Sequence, residues 1–166
     1  MSSIARNMIL AATLLLLAGC GPVISKNTLG SIDRTLTFEE VIKDPGAYAG
    51  RTIVLAGTIL AVENLQSGTV AEVIEQDMNS QLKPVRPESS AGRFLIEFDG
   101  FKDPSIYNRG RRVSVAGTIT GVEKRMLGKA EYAYPVIKPV EHYLWEEQRG
   151  PSEPRIGIGL GLGFGF

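Results

Sequence analysis

The sequence predicts a small all-β domain, and three observations lead to that prediction. Five segments alternate apolar and polar residues with period two, as half-buried strands do. A stretch at residues 43–63 has a near copy at 102–123, and each copy ends in a long alternating run. Residues 103–108 have the pattern of a short helical turn between the third and fourth strands. This order is that of an OB-fold, so we expect a five-stranded, OB-fold-like antiparallel barrel with one or two short helices; a meander or a split sandwich also fits the pattern.

The first predicted element is a short helix that ends at Lys43. Thr37 and Glu40 have the spacing of a capping box, in which each side chain bonds the backbone N–H of the other residue. Phe38 and Val41 give this helix an apolar side. The helix directly precedes the first copy of the repeat.

Each copy of the repeat begins with a capping turn and continues into a strand. Asp44 and Pro45 suit the cap and first position of a helical turn, and Gly50 suits a left-handed end. Gly57 and Gly117 occupy the same place in the two long strands, where glycine is typical of a bulge or bend. The shared residues cap and bend the chain, which favours a repeated structural unit over a duplicated catalytic or binding motif.

The remaining strands are predicted from alternation and from turn residues. Residues 69–75 and 94–98 form strands two and three, separated by a long polar loop at 77–92. The stretch 124–129 is predicted to be the hairpin loop between strands four and five. Pro135 lies in the fifth strand and indicates an edge or a bulge there.

The N-terminus predicts export and a lipid anchor. Arg6 precedes an apolar run at 8–17 that is too short for a relaxed bilayer span, as in a secretory signal peptide. The motif LAGC, which ends at Cys20, resembles the lipobox of bacterial lipoproteins. That resemblance implies cleavage after residue 19 and a covalent diacylglycerol and N-acyl lipid on Cys20, and Gly21 in the next position implies sorting to the outer membrane, facing the periplasm. The alternative is an ordinary signal peptide followed by a chance cysteine.

Composition argues against several kinds of chemistry. Cys20 is the only cysteine and His142 the only histidine, so thiol catalysis, zinc–thiolate sites and His-based metal clusters lack ligands once Cys20 is acylated. Lys and Arg number 18, as do Asp and Glu, so no net charge attracts nucleic acid. We therefore expect no enzyme activity, no metal, no other cofactor and no nucleic-acid partner. His142 is interpreted as a partly buried residue of a closing segment that also contains Leu144 and Trp145, with a lone metal ligand or base as the alternative.

The same features divide the chain into four parts. They are a signal peptide at 1–19, a tether at 20–36, a barrel domain at 37–147 and a Pro/Gly-rich tail at 148–166. Within the tail, residues 156–166 alternate large apolar residues with glycine, which places every large side chain on one face of an extended strand. The tail is either mobile by itself or engaged with a partner. It could add as a strand to an envelope protein or to a second copy of the chain, or it could contact a membrane surface.

Lys124, Arg125 and Lys129 are the candidate ligand-binding residues. They crowd the predicted loop between strands four and five, which OB-folds use for ligands. Basic side chains there could bind the phosphates of an envelope glycan or glycolipid, with Tyr132 or Tyr134 as further contacts. The alternative is a solvated loop, since acidic residues flank all three.

Residues spread over most of the chain match one known family. They are Cys20, Asp44, Pro45, Tyr48, Gly50, Gly92, Arg93, Phe94, Gly100, Phe101, Asp103, Pro104, Tyr107, Gly110, Arg111, Gly117, Gly121, Gly128, Tyr132, Tyr134, Pro135, Val136, His142, Leu144 and Trp145. In these residues the chain resembles the Slp family of outer-membrane lipoproteins, a group named for starvation-inducible members. The resemblance implies a lipid-anchored envelope protein with a link to starvation or stress, and it brings no catalytic residues. We expect a non-enzymatic lipoprotein that supports envelope integrity or assembly; the alternative is a binding module for an envelope glycan or glycolipid through residues 124–129.

Overall fold

Five strands close into a barrel in the structure, a computed structural model that describes residues 22–86 and 88–146. The strands are β1 (Thr52–Leu65), β2 (Gly68–Glu75), β3 (Arg93–Asp99), β4 (Arg112–Leu127) and β5 (Ala130–Leu144). Their order around the barrel is β1-β2-β3-β5-β4, and β4 pairs with β1 to close it. This order confirms the predicted all-β, OB-fold-like barrel, although β3 and β5 pair in parallel and only the other four pairs are antiparallel as predicted. The predicted signal peptide, Cys20 and the tail at 148–166 lie outside the described residues.

Alternate residues of the strands fill the barrel, as the period-two pattern predicts. Phe94 and Ile96 of β3 are fully buried and lie in one cluster with Val113 and Val115 of β4. Helix α2 (Phe38–Lys43) adds Phe38, whose ring meets that of Phe94 at a centroid distance of 5.7 Å. Burial of each such side chain stabilises the fold by about 1.5–3 kcal/mol. This gain explains why the strands turn their apolar face towards the inside of the barrel.

The capping turns form as predicted. Thr37 and Glu40 make the capping box of α2, which ends at Lys43. A 3-10 helix follows at Pro45–Tyr48, and the Asp44 side chain accepts a hydrogen bond from the Ala47 N–H. In the second copy Asp103 holds a hydrogen-bonded turn through its backbone oxygen and its carboxylate, although no helix is assigned there.

The two copies of the repeat clamp each other. Each capping turn ends in a glycine with positive φ, +85° at Gly50 and +90° at Gly110. The Gly50 N–H donates to the backbone oxygen of Ile119 in the other copy at 2.7 Å. The Gly110 N–H donates to that of Ile59 at 2.9 Å, which is the equivalent bond in the opposite direction. The repeat therefore builds a structural unit twice, and each unit holds the end of the other's strand.

Gly57 and Gly117 allow close approach of neighbouring strands. A Cβ atom on Gly57 would lie 2.1 Å from the backbone oxygen of Ile74, and one on Gly117 would lie 2.6 Å from that of Lys138. A register shift between Ala116 and Gly117 leaves Val140 of β5 unpaired, so the extra residue is on the partner strand, and no shift borders Gly57. Neither glycine is the extra residue of a bulge; in both cases a partner strand's backbone fills the space beside the glycine, which the sequence does not show.

The bulges that bend both long strands lie three residues beyond these glycines. Pairing of β1 with β2 shifts between Ile59 and Ala61, and pairing of β4 with β5 shifts between Ile119 and Gly121. These positions are equivalent in the two copies. An unpaired extra residue increases twist and bends a strand, so the repeat contributes matched bends to the barrel.

The segment before α2 is packed against the barrel, in contrast to the predicted tether at 20–36. It contains helix α1 (Lys26–Gly30), and Ile24 is only 1% exposed. The Asp33 N–H donates to the Thr52 oxygen of β1 at 2.8 Å. Isolated anchoring residues of this kind have no period, which is why the pattern suggested an unstructured link. Neither α1 nor any other helix in the described ranges is long and apolar enough to cross a membrane.

The predicted loop at 124–129 is a continuation of the strands. β4 runs to Leu127 and β5 begins at Ala130, so only Gly128 and Lys129 form the turn. Residues 121–127 and 130–135 make a two-stranded ribbon beyond the bulge. Its many exposed polar residues gave this stretch the composition of a loop. Pro135 is paired with Val122 in the ribbon, before β5 meets β3, which agrees with its predicted edge position.

Candidate binding cleft

The ribbon packs over the outer face of β2 and β3. Val70, Leu95 and Tyr134 form a second buried cluster, with Tyr132 and Val136 packed against it. Because the next residues along β2 and β3 belong to the main core, this cluster lies on the opposite face of the sheet. The ribbon is thereby held on the barrel as part of one wall.

Hydrogen bonds to Glu72 and Arg93 hold the ribbon in place. The Tyr134 hydroxyl donates to Glu72 Oε1 at 3.0 Å, and Arg93 Nη1 donates to the same oxygen at 2.7 Å. The Tyr132 hydroxyl accepts from the Arg93 N–H at 2.9 Å. Burial, followed by the bond to Glu72, raises the pKa of Tyr134. Both tyrosines proposed as ligand contacts are therefore engaged in attaching the ribbon.

A cleft of about 370 Å³ opens beside the ribbon. Its apolar lining comes from Leu65, Val70, Leu95, Val122 and Val136. Its polar lining comes from Glu97, Thr120, Glu123 and Arg125, together with the backbone of Gly121. The cleft lies between the β1–β2 hairpin and the β4–β5 ribbon, the two connections that OB-folds use for ligands. Its size, apolar floor and few polar groups suit a small ligand or a protruding side chain.

The three predicted basic residues do not converge on this cleft. Arg125 lines it, and its Nε donates to Glu123 Oε1 at 2.7 Å. That bond raises the pKa of Arg125. Lys124 is the next residue on a strand, which points it to the other face, where its Nζ pairs with Glu131 Oε1 at 2.9 Å. Lys129 lies at the turn. Two of the three charges are thus matched by neighbouring carboxylates.

His142 lies within β5 and packs among aromatic rings. The Tyr107 hydroxyl and His142 Nε2 are 2.9 Å apart, and the Phe98 ring centroid is 4.9 Å from that of the imidazole. Burial, followed by the nearby Lys102, lowers the pKa of His142. Within residues 22–86 and 88–146 no group of three or more His, Cys, Asp or Glu side chains could hold a metal ion. The partly buried interpretation agrees with this packing, although the segment is a strand and not a separate closure.

The sequence did not indicate the apolar part of the cleft. Val122 is 46% exposed and Leu65 is also 46% exposed, but both look like ordinary strand residues in the sequence. Glu97 belongs to an alternating strand and gave no separate signal. Only the folding of one hairpin beside the other brings these residues together.

The fold and the cleft define a small OB-fold-like barrel protein with a ligand-sized groove between its two hairpins. A family model described as the outer membrane lipoprotein Slp family matches residues 17–158, so the chain belongs to that family. It is 31% identical to the uncharacterized lipoprotein YeaY of Escherichia coli K12 over 82% of this chain and 71% of that protein. It is 29% identical to the outer membrane protein Slp of the same organism over 78% of this chain and 69% of that protein. Membership places the protein in the outer membrane.

Proposed function

We propose that this protein is a non-enzymatic, lipid-anchored lipoprotein that supports the integrity or assembly of the envelope by binding an envelope component in its cleft. The observation that carries the proposal is the cleft of about 370 Å³ between the hairpin and the ribbon. Family membership supports the outer membrane as the place where the protein acts. A role under starvation or stress follows the family's naming and belongs to the same proposal.

The contacts around the cleft support a binding role over catalysis. Arg125 is bonded to Glu123, and Glu72 is bonded to both Arg93 and Tyr134. Carboxylates paired in this way are not positioned together as a general acid and a general base. Acid–base catalysis needs such groups within hydrogen-bond reach of one reacting atom. A ligand that covers the apolar floor of the cleft removes this surface from water, which favours binding.

The anchor is the acylated Cys20, with a diacylglycerol and an N-acyl lipid. The motif that ends at Cys20 begins at Leu17, where the family match also begins. More than one acyl chain is needed to hold a soluble domain stably on a membrane. Cys20→Ala should move the protein from the membrane fraction to the soluble periplasmic fraction. Retention of this variant in the membrane fraction would contradict the lipid anchor.

Site-specific photo-crosslinking in cells tests the cleft. A photoreactive amino acid at Leu65, 46% exposed, lies in the cleft wall, whereas one at Met126, 66% exposed, lies on the face of the ribbon that Lys124 shares. We expect an envelope component to be captured from position 65 and not from 126. Equal capture, or capture only from 126, would show that the cleft is not the binding site.

A glycan or glycolipid with phosphate groups is the second candidate ligand, favoured by the presence of Arg125 in the cleft wall. Charge reversal separates this candidate from a protein component. Arg125→Glu should abolish retention on immobilised lipopolysaccharide, whereas Lys124→Glu, on the other face, should leave it unchanged. Lys129→Glu tests the turn in the same assay. Retention by the Arg125 variant would count against this ligand class.

Residues 156–166 are the proposed contact with an envelope protein or with a second copy. In-cell crosslinking should compare the full chain with a chain truncated after Pro154, both carrying Cys20. A partner captured only by the full chain would assign that contact to the tail. The same partners from both chains would make the tail dispensable.

A further inference from the structure

The N-terminal segment is attached to the barrel at one carboxylate of β5. The Ser25 N–H donates to Glu141 Oε1 at 2.9 Å, and the Ser25 hydroxyl donates to Glu141 Oε2 at 2.8 Å. The Thr28 hydroxyl donates to the same Oε2 at 2.6 Å. Ser25 is also the N-cap of α1, and Ile24 beside it is 1% exposed. We call this arrangement of Ser25, Thr28 and Glu141 the Glu141 lock.

The Glu141 lock is a set of charge-assisted hydrogen bonds to one ionised group. Thr28, followed by Ser25, lowers the pKa of Glu141 through these bonds, so the carboxylate is charged at neutral pH. Hydrogen bonds to a charged acceptor are stronger than neutral ones. Two of the donors are hydroxyls and one is a backbone N–H, which fixes the position of the start of α1 relative to β5.

The Glu141 lock leaves little chain between the barrel and the lipidated residue. Cys20 is five residues before Ser25, so their Cα atoms can be at most about 18 Å apart. A tether running from Cys20 to residue 36 would instead reach about 55 Å. The short link holds the β5 side of the barrel near the bilayer and prevents free rotation of the domain.

The surface next to the Glu141 lock has the side chains that favour a membrane interface. Tyr143 is on the same face of β5 as Glu141, since alternate residues share a face. It is 41% exposed and packs edge-on against Trp145 with centroids 4.9 Å apart. Tyr and Trp combine an apolar ring with a polar end and are enriched at membrane–water interfaces. Lys83, 5.3 Å from the centre of the Trp145 ring, adds a positive charge.

We infer that the Glu141 lock fixes the barrel on the phospholipid surface of the membrane, with Tyr143 and Trp145 facing the lipid. This inference rests on the proposed lipid anchor at Cys20. The ribbon is thereby directed away from the attachment point: Met126 pairs with Glu131, ten residues before Glu141 along β5, which corresponds to about 33 Å of strand. The cleft is then open to periplasmic components while the β5 end is occupied by lipid.

Tryptophan quenching tests the orientation directly, because Trp145 is the only tryptophan of the chain. The lipidated protein is reconstituted in vesicles of phosphatidylethanolamine and phosphatidylglycerol that contain a phospholipid with brominated acyl chains. We expect quenching of Trp145. The control is Met126→Trp in a Trp145→Phe background, whose tryptophan lies on the ribbon and should be quenched much less. Equal quenching of the two proteins would overturn the inference.

A second pair of variants tests the Glu141 lock itself. Glu141→Gln, and separately Ser25→Ala with Thr28→Val, should reduce the quenching of Trp145 while the protein still floats with the vesicles. Both are checked for an unchanged thermal midpoint of the barrel, so that loss of quenching is not loss of fold. Unreduced quenching in both folded variants would show that the Glu141 lock does not set the orientation. Flotation of Cys20→Ala would instead contradict the anchor, so the two failures are distinguishable.

Discussion

Replacing Gly57 by alanine should destabilise the barrel at the seam between β1 and β2. The new Cβ would lie 2.1 Å from the backbone oxygen of Ile74 and 2.7 Å from Val73 Cγ1. The carbonyl belongs to a paired strand and cannot rotate away, so β1 and β2 must separate locally. Overpacking of this kind typically costs about 1–3 kcal/mol. The loss of unfolded-state freedom on replacing glycine offsets only about 0.4–1 kcal/mol of it.

Urea unfolding followed by circular dichroism measures this change in the free energy of unfolding. We expect a lower midpoint with an unchanged m-value, since the surface exposed on unfolding stays the same. Gly30→Ala is the matched control, because a Cβ there meets nothing within 4 Å and the residue has no positive φ. Its effect should stay within about 0.5 kcal/mol. If the two variants unfold at the same urea concentration, the close approach of the strands at Gly57 is refuted.

Three further predictions concern the ribbon, helix α2 and the partly buried His142. Tyr134→Phe removes the bond to Glu72 and should lower the free energy of unfolding by about 1–2 kcal/mol, with faster hydrogen exchange in the ribbon; ribbon exchange at the wild-type rate would contradict this attachment. Thr37→Ala removes the cap of α2 and should cost about 0.5–2 kcal/mol in urea unfolding, whereas no change would show that the capping box contributes nothing. Burial, followed by Lys102, lowers the pKa of His142, so the unfolded chain binds its proton more tightly and stability should fall as the pH drops below about 6.5. His142→Gln lacks this titration and should therefore lose less stability over that range. The carboxyl groups titrate alike in both proteins, so parallel pH profiles would exclude the histidine as the cause.

Features set by residues close together in the chain were predictable from the sequence. The capping box of α2 joins Thr37 and Glu40, and the 3-10 turn joins Asp44 and Ala47. Both partners of each interaction therefore lie within four consecutive residues of the sequence. Alternation identified the strands for the same reason, since the face of a strand is a local property.

Features set by distant residues were not predictable in this way. The Glu141 lock joins residues 116 and 113 positions apart, and nothing in the segment before α2 indicates the partner. The tip of the ribbon at 124–129 was mistaken for a loop because its polar residues pair with one another only after folding. Lys124 and Arg125 looked like one basic cluster because residues 124–129 were predicted to be a loop, whereas adjacent residues of a strand face opposite sides.

The position of the cleft follows from the repeat. The first half of each copy's strand pairs with the other copy, from Thr52 opposite Thr118 to Thr58 opposite Arg112. Beyond the equivalent bulges each strand leaves its symmetric partner and stays paired only with the next strand along the chain, in a hairpin. Two hairpins that diverge from one seam leave a space between them, and the second is longer, with β4 ending at Leu127. The duplicated unit therefore creates the cleft through its geometry, because the two copies bend apart beyond the seam that they share.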